Sequence, residues 1–179
     1  MKLHYGLLLL LAGAILSGCG AAAQTAAPVA QHATPLPSTL PTAAPADVVK
    51  TVDGGTVALG AGRPTALFFM AAWCSDCQAE ADAWRQLIET GQTKGLNVLA
   101  IDVDPSDTLD GLKKFRAALH SDPLQWAMDQ NGQFAKRFNV QSLDTTVILD
   151  GSGHEVYRDL SSSSLAQLQQ ALKNVEVQQ

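Results

Sequence analysis

The sequence has few charged residues and no extended basic segment. Only 16% of its 179 residues are charged, and the net charge is −5. Lysine and arginine are adjacent only in the pairs Lys113-Lys114 and Lys136-Arg137, which are typical of a helix surface. A protein that binds nucleic acid needs a basic patch facing the phosphates. We therefore expect no nucleic-acid partner.

The sequence also has no hydrophobic run long enough to cross a membrane, which takes about 20 apolar residues in a helix. The apolar stretch from Leu7 to Leu16 has the length of a signal-peptide core. It ends in Leu-Ser-Gly-Cys at residues 16–19, which resembles the bacterial lipobox, where the cysteine is acylated and becomes the mature N-terminus. We predict that residues 1–18 are a lipoprotein signal peptide and that Cys19 is lipidated. The alternative is an ordinary cleaved signal peptide.

Residues 19–46 have the composition of a tether. The segment from Gly20 onward is rich in Ala, Pro and Thr, contains no charged residue and holds five of the eight prolines. Such a composition cannot bury enough apolar surface to fold. The predicted organisation is a lipid anchor on Cys19, a tether, and a folded domain over residues 47–179 that lies in the cell envelope, outside the cytoplasm.

The cysteines and histidines do not form a structural zinc site. Such a site normally has four ligands, but the chain has three cysteines and four histidines, each histidine isolated in sequence: His4, His32, His120 and His154. With Cys19 lipidated, Cys74 and Cys77 remain as a pair. In an oxidising compartment this pair is either a disulfide or a dithiol that cycles.

The folded domain alternates strand-like and helix-like segments. Two short strands around Asp53-Gly54-Gly55 predict an N-terminal β-hairpin. A strand, a helix and a strand follow, and after a further helix come short strands and two more helices. The turn Asp104-Pro105-Ser106-Asp107 is predicted to cap the second helix, and Ser161–Ser164 the last one. The order predicts an α/β fold with a central mixed β-sheet flanked by helices on both faces.

The Cys-x-x-Cys lies between a buried strand, Thr65 to Ala72, and a helix whose apolar stripe begins at Cys77. Free N–H groups and the helix dipole favour a thiolate at this place. We interpret Cys74 and Cys77 as a redox-active disulfide. The alternative is an inert structural disulfide, although so small a loop restrains the unfolded chain little.

These features together resemble the thioredoxin fold, and within it the TlpA/ResA-like thiol-disulfide oxidoreductases of bacterial envelopes. The resemblance rests on the motif from Phe69 to Cys77, on Glu80, on the segment 129–140, and on the strand 145–150 with its partner. It covers about residues 47–175. Two positions depart from the family: Asp82 replaces a helix proline, which should straighten the helix, and Asp144 replaces the proline that faces the cysteines in a cis peptide.

The resemblance implies roles for the residues of the motif. Cys74 would attack a substrate disulfide and Cys77 would resolve the mixed disulfide. Trp73 would form an apolar shelf beside the thiols, or else be a core aromatic. Asp76 would raise the thiol pKa and favour the disulfide, unless it points into water. Glu80 would tune the cysteines and move protons, unless it is an exposed helix carboxylate.

Asp144 has several interpretations. As a carboxylate beside Cys74 it would repel the thiolate, and as a protonated acid it could shuttle a proton. It could instead join Cys74 and Cys77 as a metal ligand, or mark a relative that has lost activity. A cis bond before a residue other than proline costs about 3–4 kcal/mol, which favours a trans Leu143–Asp144 bond.

The predicted function is a membrane-anchored thiol-disulfide oxidoreductase that reduces disulfides in exported proteins. By resemblance, apocytochrome c is one candidate substrate. The dithiol needs no cofactor and must be reduced again by a membrane electron donor. The alternatives are a metal-binding (copper) module that uses Cys74, Cys77 and Asp144, and a catalytically silent domain.

Overall fold

The structure, a computed structural model, describes residues 47–119 and 122–177. Seven strands and four helices follow one another in this part of the chain: β1 (Val48–Lys50), β2 (Thr56–Ala58), β3 (Thr65–Met70), α1 (Ser75–Glu89), β4 (Asn97–Asp102), α2 (Leu109–Ala117), β5 (Gln125–Met128), α3 (Gln133–Arg137), β6 (Thr145–Leu149), β7 (Glu155–Asp159) and α4 (Leu165–Val177).

Five of the strands form a mixed sheet in the order β5-β4-β3-β6-β7, and β1 pairs with β2 in a separate antiparallel hairpin. The central strand β3 is parallel to β4 and antiparallel to β6. The hairpin and the mixed sheet confirm the fold class predicted from the sequence.

Strand β3 is buried along its whole length because both faces of the sheet are covered. Phe68 and Met70 belong to a core formed with α1, α2 and α4. Leu67 and Phe69 belong to a second core, which includes residues of the hairpin and Phe138 just after α3. Since successive side chains of a strand point to opposite faces, an uninterrupted apolar run satisfies both cores.

Helix α1 follows β3 after four residues and carries the buried stripe expected from its sequence, which includes Cys77, Ala81, Trp84 and Leu87. It is continuous through Asp82, whose two carboxylate oxygens accept hydrogen bonds from Arg85 Nε at 2.7 Å and from Gln86 Nε2 at 2.9 Å. A proline here would remove a backbone donor from the helix.

The predicted cap of α2 is wrong. The helix is capped by Thr108, whose Oγ1 accepts a hydrogen bond from the Gly111 N–H. The preceding turn at residues 104–107 does not cap the helix, because the carboxylates of Asp104 and Asp107 accept hydrogen bonds from the segment that leads into α1.

Candidate active site

The two cysteines lie at the start of α1, just beyond the end of β3. Cys74 is the N-cap residue, and its Sγ accepts a hydrogen bond from the Cys77 N–H at 3.2 Å. The two sulfurs form a disulfide. Cys74 is 9% exposed and Cys77 is fully buried, so a reactant from solution meets Cys74 first. This difference suits the roles predicted for them, nucleophile for Cys74 and resolving thiol for Cys77.

Trp73 lies on the surface beside the cysteines. Its side chain is 66% exposed, which contradicts the alternative of a core aromatic. The indole Nε1 donates a hydrogen bond to Asp104 Oδ2 at 2.6 Å. The ring therefore has a fixed polar anchor and an open apolar surface next to Cys74.

Asp107 holds the loop that carries the cysteines. Its Oδ2 accepts a hydrogen bond from the Ala72 N–H at 2.7 Å, two residues before Cys74. A charged acceptor makes this bond stronger than a neutral one. Sequence reasoning assigned no such role to Asp104 or Asp107. The sequence held one signal for this role: both residues follow β4. Because β4 is parallel to β3, its C-terminal end lies beside the end of β3, where the cysteines follow.

Glu80 is buried behind the disulfide, which contradicts the alternative of an exposed helix carboxylate. Its Oε1 accepts a hydrogen bond from Thr146 Oγ1 at 2.6 Å, and its Oε2 accepts one from the Ser163 N–H at 2.8 Å. Burial raises the pKa of Glu80 to about 7, although both hydrogen bonds act in the opposite direction. A carboxyl group with such a pKa can gain and lose a proton near neutral pH.

Asp144 lies next to the cysteines, as the resemblance to the TlpA/ResA-like family implied. The distance from its Oδ2 to Cys74 Sγ is 3.9 Å, and the side chain is buried. The backbone φ of Asp144 is +58°, in the left-handed region that Asp and Asn tolerate better than most residues. Proline is fixed near −65°, so the Asp144 backbone is one that proline cannot adopt.

The charge around Asp144 is negative. Burial, and after it the charge of Asp76, raise the pKa of the Asp144 carboxyl group above its usual value. Asp76 itself is exposed, which agrees with the alternative that its side chain points into water. It still lies close enough to act on Asp144. The predicted effect of either carboxylate on the cysteines stays a prediction.

Three potential metal-ligating atoms lie together at this site. Cys74 Sγ, Cys77 Sγ and a carboxylate oxygen of Asp144 are all within 4.8 Å of one another. This is the ligand set proposed from the sequence as an alternative. In the disulfide form both sulfurs are covalently engaged, so the set becomes available only when the disulfide is reduced.

A Cys-x-x-Cys at the junction of a central strand and a helix, within this sheet order, defines a thiol-disulfide oxidoreductase of the thioredoxin fold. The chain belongs to the AhpC/TSA family, whose family model matches residues 41–157. These findings confirm the predicted fold and enzyme class, and the alternative of a silent domain is not retained.

Two curated relatives are similar to this chain, and the first of them is named as a thiol-disulfide oxidoreductase. The thiol-disulfide oxidoreductase ResA of Bacillus thuringiensis subsp. konkukian is 26% identical over 134 residues, which are 74% of this chain and 76% of the relative. A Streptomyces lividans protein named mercury resistance operon ORF3 is 29% identical over 133 residues, 73% of this chain and 70% of that protein.

Among solved structures, a thioredoxin-like protein from Aeropyrum pernix is similar with a TM-score of 0.60 and 31% sequence identity. The match covers 72% of this chain and 88% of the other. This structure and the curated relatives therefore match a similar share of the chain.

The predicted signal peptide, the lipidation of Cys19 and the tether fall outside the described residues. Within residues 47–119 and 122–177, no helix is long and apolar enough to cross a membrane.

Proposed function

We propose that this oxidoreductase is a reductase anchored to a membrane through Cys19, with its domain outside the cytoplasm, acting on disulfides of exported proteins. The observation that carries the direction of the reaction is the carboxylate of Asp144, 3.9 Å from Cys74 Sγ. No cofactor is needed, because the electrons are carried by the two sulfurs.

The carboxylate acts on the balance between dithiol and disulfide. Two unit charges at this distance repel by about 1 kcal/mol in water and about 4 kcal/mol at an effective dielectric constant of ~20. The repulsion disfavours the thiolate form of Cys74. Because a stabilised reduced form makes a strong oxidant, its destabilisation here favours the disulfide and makes the dithiol a reductant.

The reaction proceeds through a mixed disulfide. The Cys74 thiolate attacks one sulfur of the substrate disulfide and releases the other as a thiolate, which takes up a proton. Cys77 then loses its proton and attacks Cys74 Sγ, releasing the second substrate thiol. The substrate gains two electrons and two protons, and the protein is left as the disulfide. A dithiol donor in the membrane must reduce it again.

The proposed acceptor of the second proton is Glu80. With a pKa raised to about 7, its carboxylate form can accept a proton near neutral pH as Cys77 becomes a nucleophile. Glu80 lies one helical turn after Cys77 and is buried, so it faces the protein interior and not the bound substrate. A substrate bound at Cys74 would therefore leave this proton acceptor in place.

The proposed substrate class rests on the proposed location. In the envelope, exported proteins acquire disulfides, and those that need free thiols require a reductase. Apocytochrome c is one such protein, and it stays the candidate that the resemblance of the sequence implies. Trp73, with its exposed ring, offers the apolar surface on which an unfolded polypeptide could rest.

The reduction potential of the Cys74–Cys77 pair tests the direction. We expect a value near or below that of thioredoxin, about −270 mV, measured by equilibration with glutathione or dithiothreitol buffers. A value near −120 mV, at the oxidising end of the range, would contradict the assignment as a reductase. Asp110→Asn is the matched control for Asp144→Asn, because Asp110 is an exposed carboxylate at the start of α2.

The anchor is tested separately in cells. We expect the full-length protein to fractionate with membranes and to incorporate a labelled fatty acid, and Cys19→Ser to abolish both. Unchanged membrane association of Cys19→Ser would refute the lipid anchor. That result would not affect the prediction for the reduction potential.

A further inference from the structure

We propose that the reduced protein binds a zinc-class divalent cation through Cys74, Cys77 and Asp144, a site distinct in chemistry from the disulfide exchange. The proposal uses the same cysteines as the proposed reductase. It requires neither the membrane anchor nor a particular substrate.

The distances fit tetrahedral zinc. With Zn–S bonds of about 2.3 Å and a Zn–O bond of about 2.1 Å, a tetrahedral ion places its sulfur and oxygen ligands about 3.6 Å apart. Cys74 Sγ and Asp144 Oδ2 are 3.9 Å apart, and all three ligand atoms lie within 4.8 Å of one another. The distance from Cys74 Sγ to Asp144 Oδ2 needs an adjustment of a few tenths of an ångström. The distances to Cys77 Sγ change when the two sulfurs separate on reduction.

Asp144 has a free oxygen at the site. Its Oδ1 is buried and has no hydrogen-bond partner among the described residues. A buried polar atom without a partner is costly, and a cation at this position would relieve the cost. A proline at this position would offer no side-chain donor at all. The carboxylate therefore converts a two-sulfur pair into a three-ligand set.

The ligand types favour zinc over the alkaline-earth ions. Two thiolates with one carboxylate form a mixed soft and hard set, which suits a borderline ion, whereas calcium and magnesium require oxygen ligands. Three protein ligands leave the fourth position for water, as in open zinc sites. The exposed carboxylate of Asp76 also interacts electrostatically with Asp144, and negative charge beside the site attracts a cation.

Metal binding and the disulfide exclude each other. Each cysteine gives up its thiol proton when it binds the ion, and the resulting thiolates are no longer available to attack a substrate. The metal-bound protein would be held in its reduced state. Oxidation of the two cysteines to the disulfide removes two of the three ligands.

Zinc affinity is measured on the full-length protein, reduced with dithiothreitol and freed of it without oxygen, by competition with a chromophoric chelator. We expect one zinc ion for each chain in the reduced protein and none in the disulfide form. Asp144→Asn and Asp144→Gly should each weaken binding at least about tenfold, no less than the loss of an outer-shell partner costs. Both substituents tolerate the positive φ of Asp144, so the backbone is preserved.

Asp110→Asn is the control and should bind zinc as the wild type does. Cys19 is present in every sample, so its contribution cancels. The inference is overturned if either Asp144 variant retains wild-type affinity, or if the disulfide form binds zinc equally well. X-ray absorption of the zinc-loaded wild type needs no variant: we expect two sulfurs at about 2.3 Å and oxygen at about 2.0–2.2 Å. A zinc coordination shell that contains only sulfur would contradict the proposed ligand set.

A separate assay distinguishes this inference from the proposed function. Disulfide reduction is measured with an insulin substrate in the presence of a metal chelator. Full activity without zinc binding would refute only the metal site. Stoichiometric zinc binding without any reductase activity would refute only the proposed reductase. With zinc present, inhibition should follow occupancy of the site.

Discussion

Thr146 Oγ1 donates a hydrogen bond of 2.6 Å to Glu80 Oε1, and so joins strand β6 to helix α1 behind the disulfide. The other oxygen of Glu80 is bonded to the Ser163 N–H, just before α4. One buried carboxyl group therefore connects three elements next to the reactive sulfurs. Its protonation state should affect both stability and redox chemistry.

The stability of the oxidised protein should fall as the pH rises from about 4.5 to about 7. The pKa of Glu80 is about 7 in the folded protein and 4.5 ordinarily, so between these values the folded state binds more protons than the unfolded state. At about 1.4 kcal/mol for each pH unit, the loss amounts to roughly 3 kcal/mol. Urea unfolding across this range measures it.

Glu80→Gln serves as the comparison, because it keeps an acceptor for Thr146 and does not titrate. Burial also raises the pKa of Asp102, so the quantity of interest is the difference between the two pH profiles. Parallel profiles for wild type and Glu80→Gln would show that Glu80 does not titrate in this interval.

Asp144→Asn should lower the pKa of the Cys74 thiol by about one to three pH units, because it removes a negative charge 3.9 Å from the sulfur. The rate of alkylation of the reduced protein as a function of pH gives this pKa. The reduction potential should become more oxidising at the same time. An unchanged Cys74 pKa would mean that the Asp144 carboxyl group is neutral in the reduced protein.

Asp144→Pro should destabilise the protein by more than about 1 kcal/mol. The φ of +58° at this position is closed to proline, and such substitutions cost more than the entropy they save. Asp144→Gly should be tolerated. Chemical unfolding of the two variants compares them directly. If Asp144→Pro were as stable as Asp144→Gly, the loop would have a second backbone conformation.

Asp107→Ala should cost about 2 kcal/mol of stability and slow the reaction at Cys74. It deletes the charged acceptor of the Ala72 N–H and leaves that donor without its partner. Asp107→Asn retains an acceptor and should lose less. Thermal unfolding and the rate of insulin reduction are the two measurements. Equal effects of alanine and asparagine would indicate that only the charge matters.

Trp73→Ala should raise the KM for a polypeptide disulfide and leave stability nearly unchanged, because the ring is 66% exposed. Trp73→Phe keeps an aromatic surface but loses the hydrogen bond to Asp104. It should have the smaller effect on KM. The comparison with a small disulfide such as oxidised glutathione, which needs no shelf, is the control. A similar loss with both substrates would argue against a docking surface.

Much of the fold could be predicted from the sequence because its signals are local. An apolar run of the length of β3 and the spacing of Cys77, Ala81 and Trp84 reflect burial patterns that each element carries by itself. The Cys-x-x-Cys is likewise contiguous. The sequence therefore correctly predicted the fold class and the pairing of Cys74 with Cys77 in a disulfide.

The roles of Asp104 and Asp107 could not be predicted in this way. Their partners, Trp73 and Ala72, are 31 and 35 residues away, and the parallel pairing of β3 with β4 brings them together. A turn motif rich in Asp and Ser predicts a helix cap by default. Here Thr108 caps the helix, so the two carboxylates are available to the active-site loop.

The contrast in burial between Cys74 and Cys77 has a consequence for timing. Once a substrate is covalently attached to Cys74, the buried Cys77 thiol is shielded from oxidants and disulfides in solution, and the reaction open to it is the attack on Cys74 Sγ. The attached state then ends through a group held inside the protein. Replacing Cys77 with serine should halt the reaction at the mixed disulfide. The protein that stays covalently attached to Cys74 would be the natural substrate.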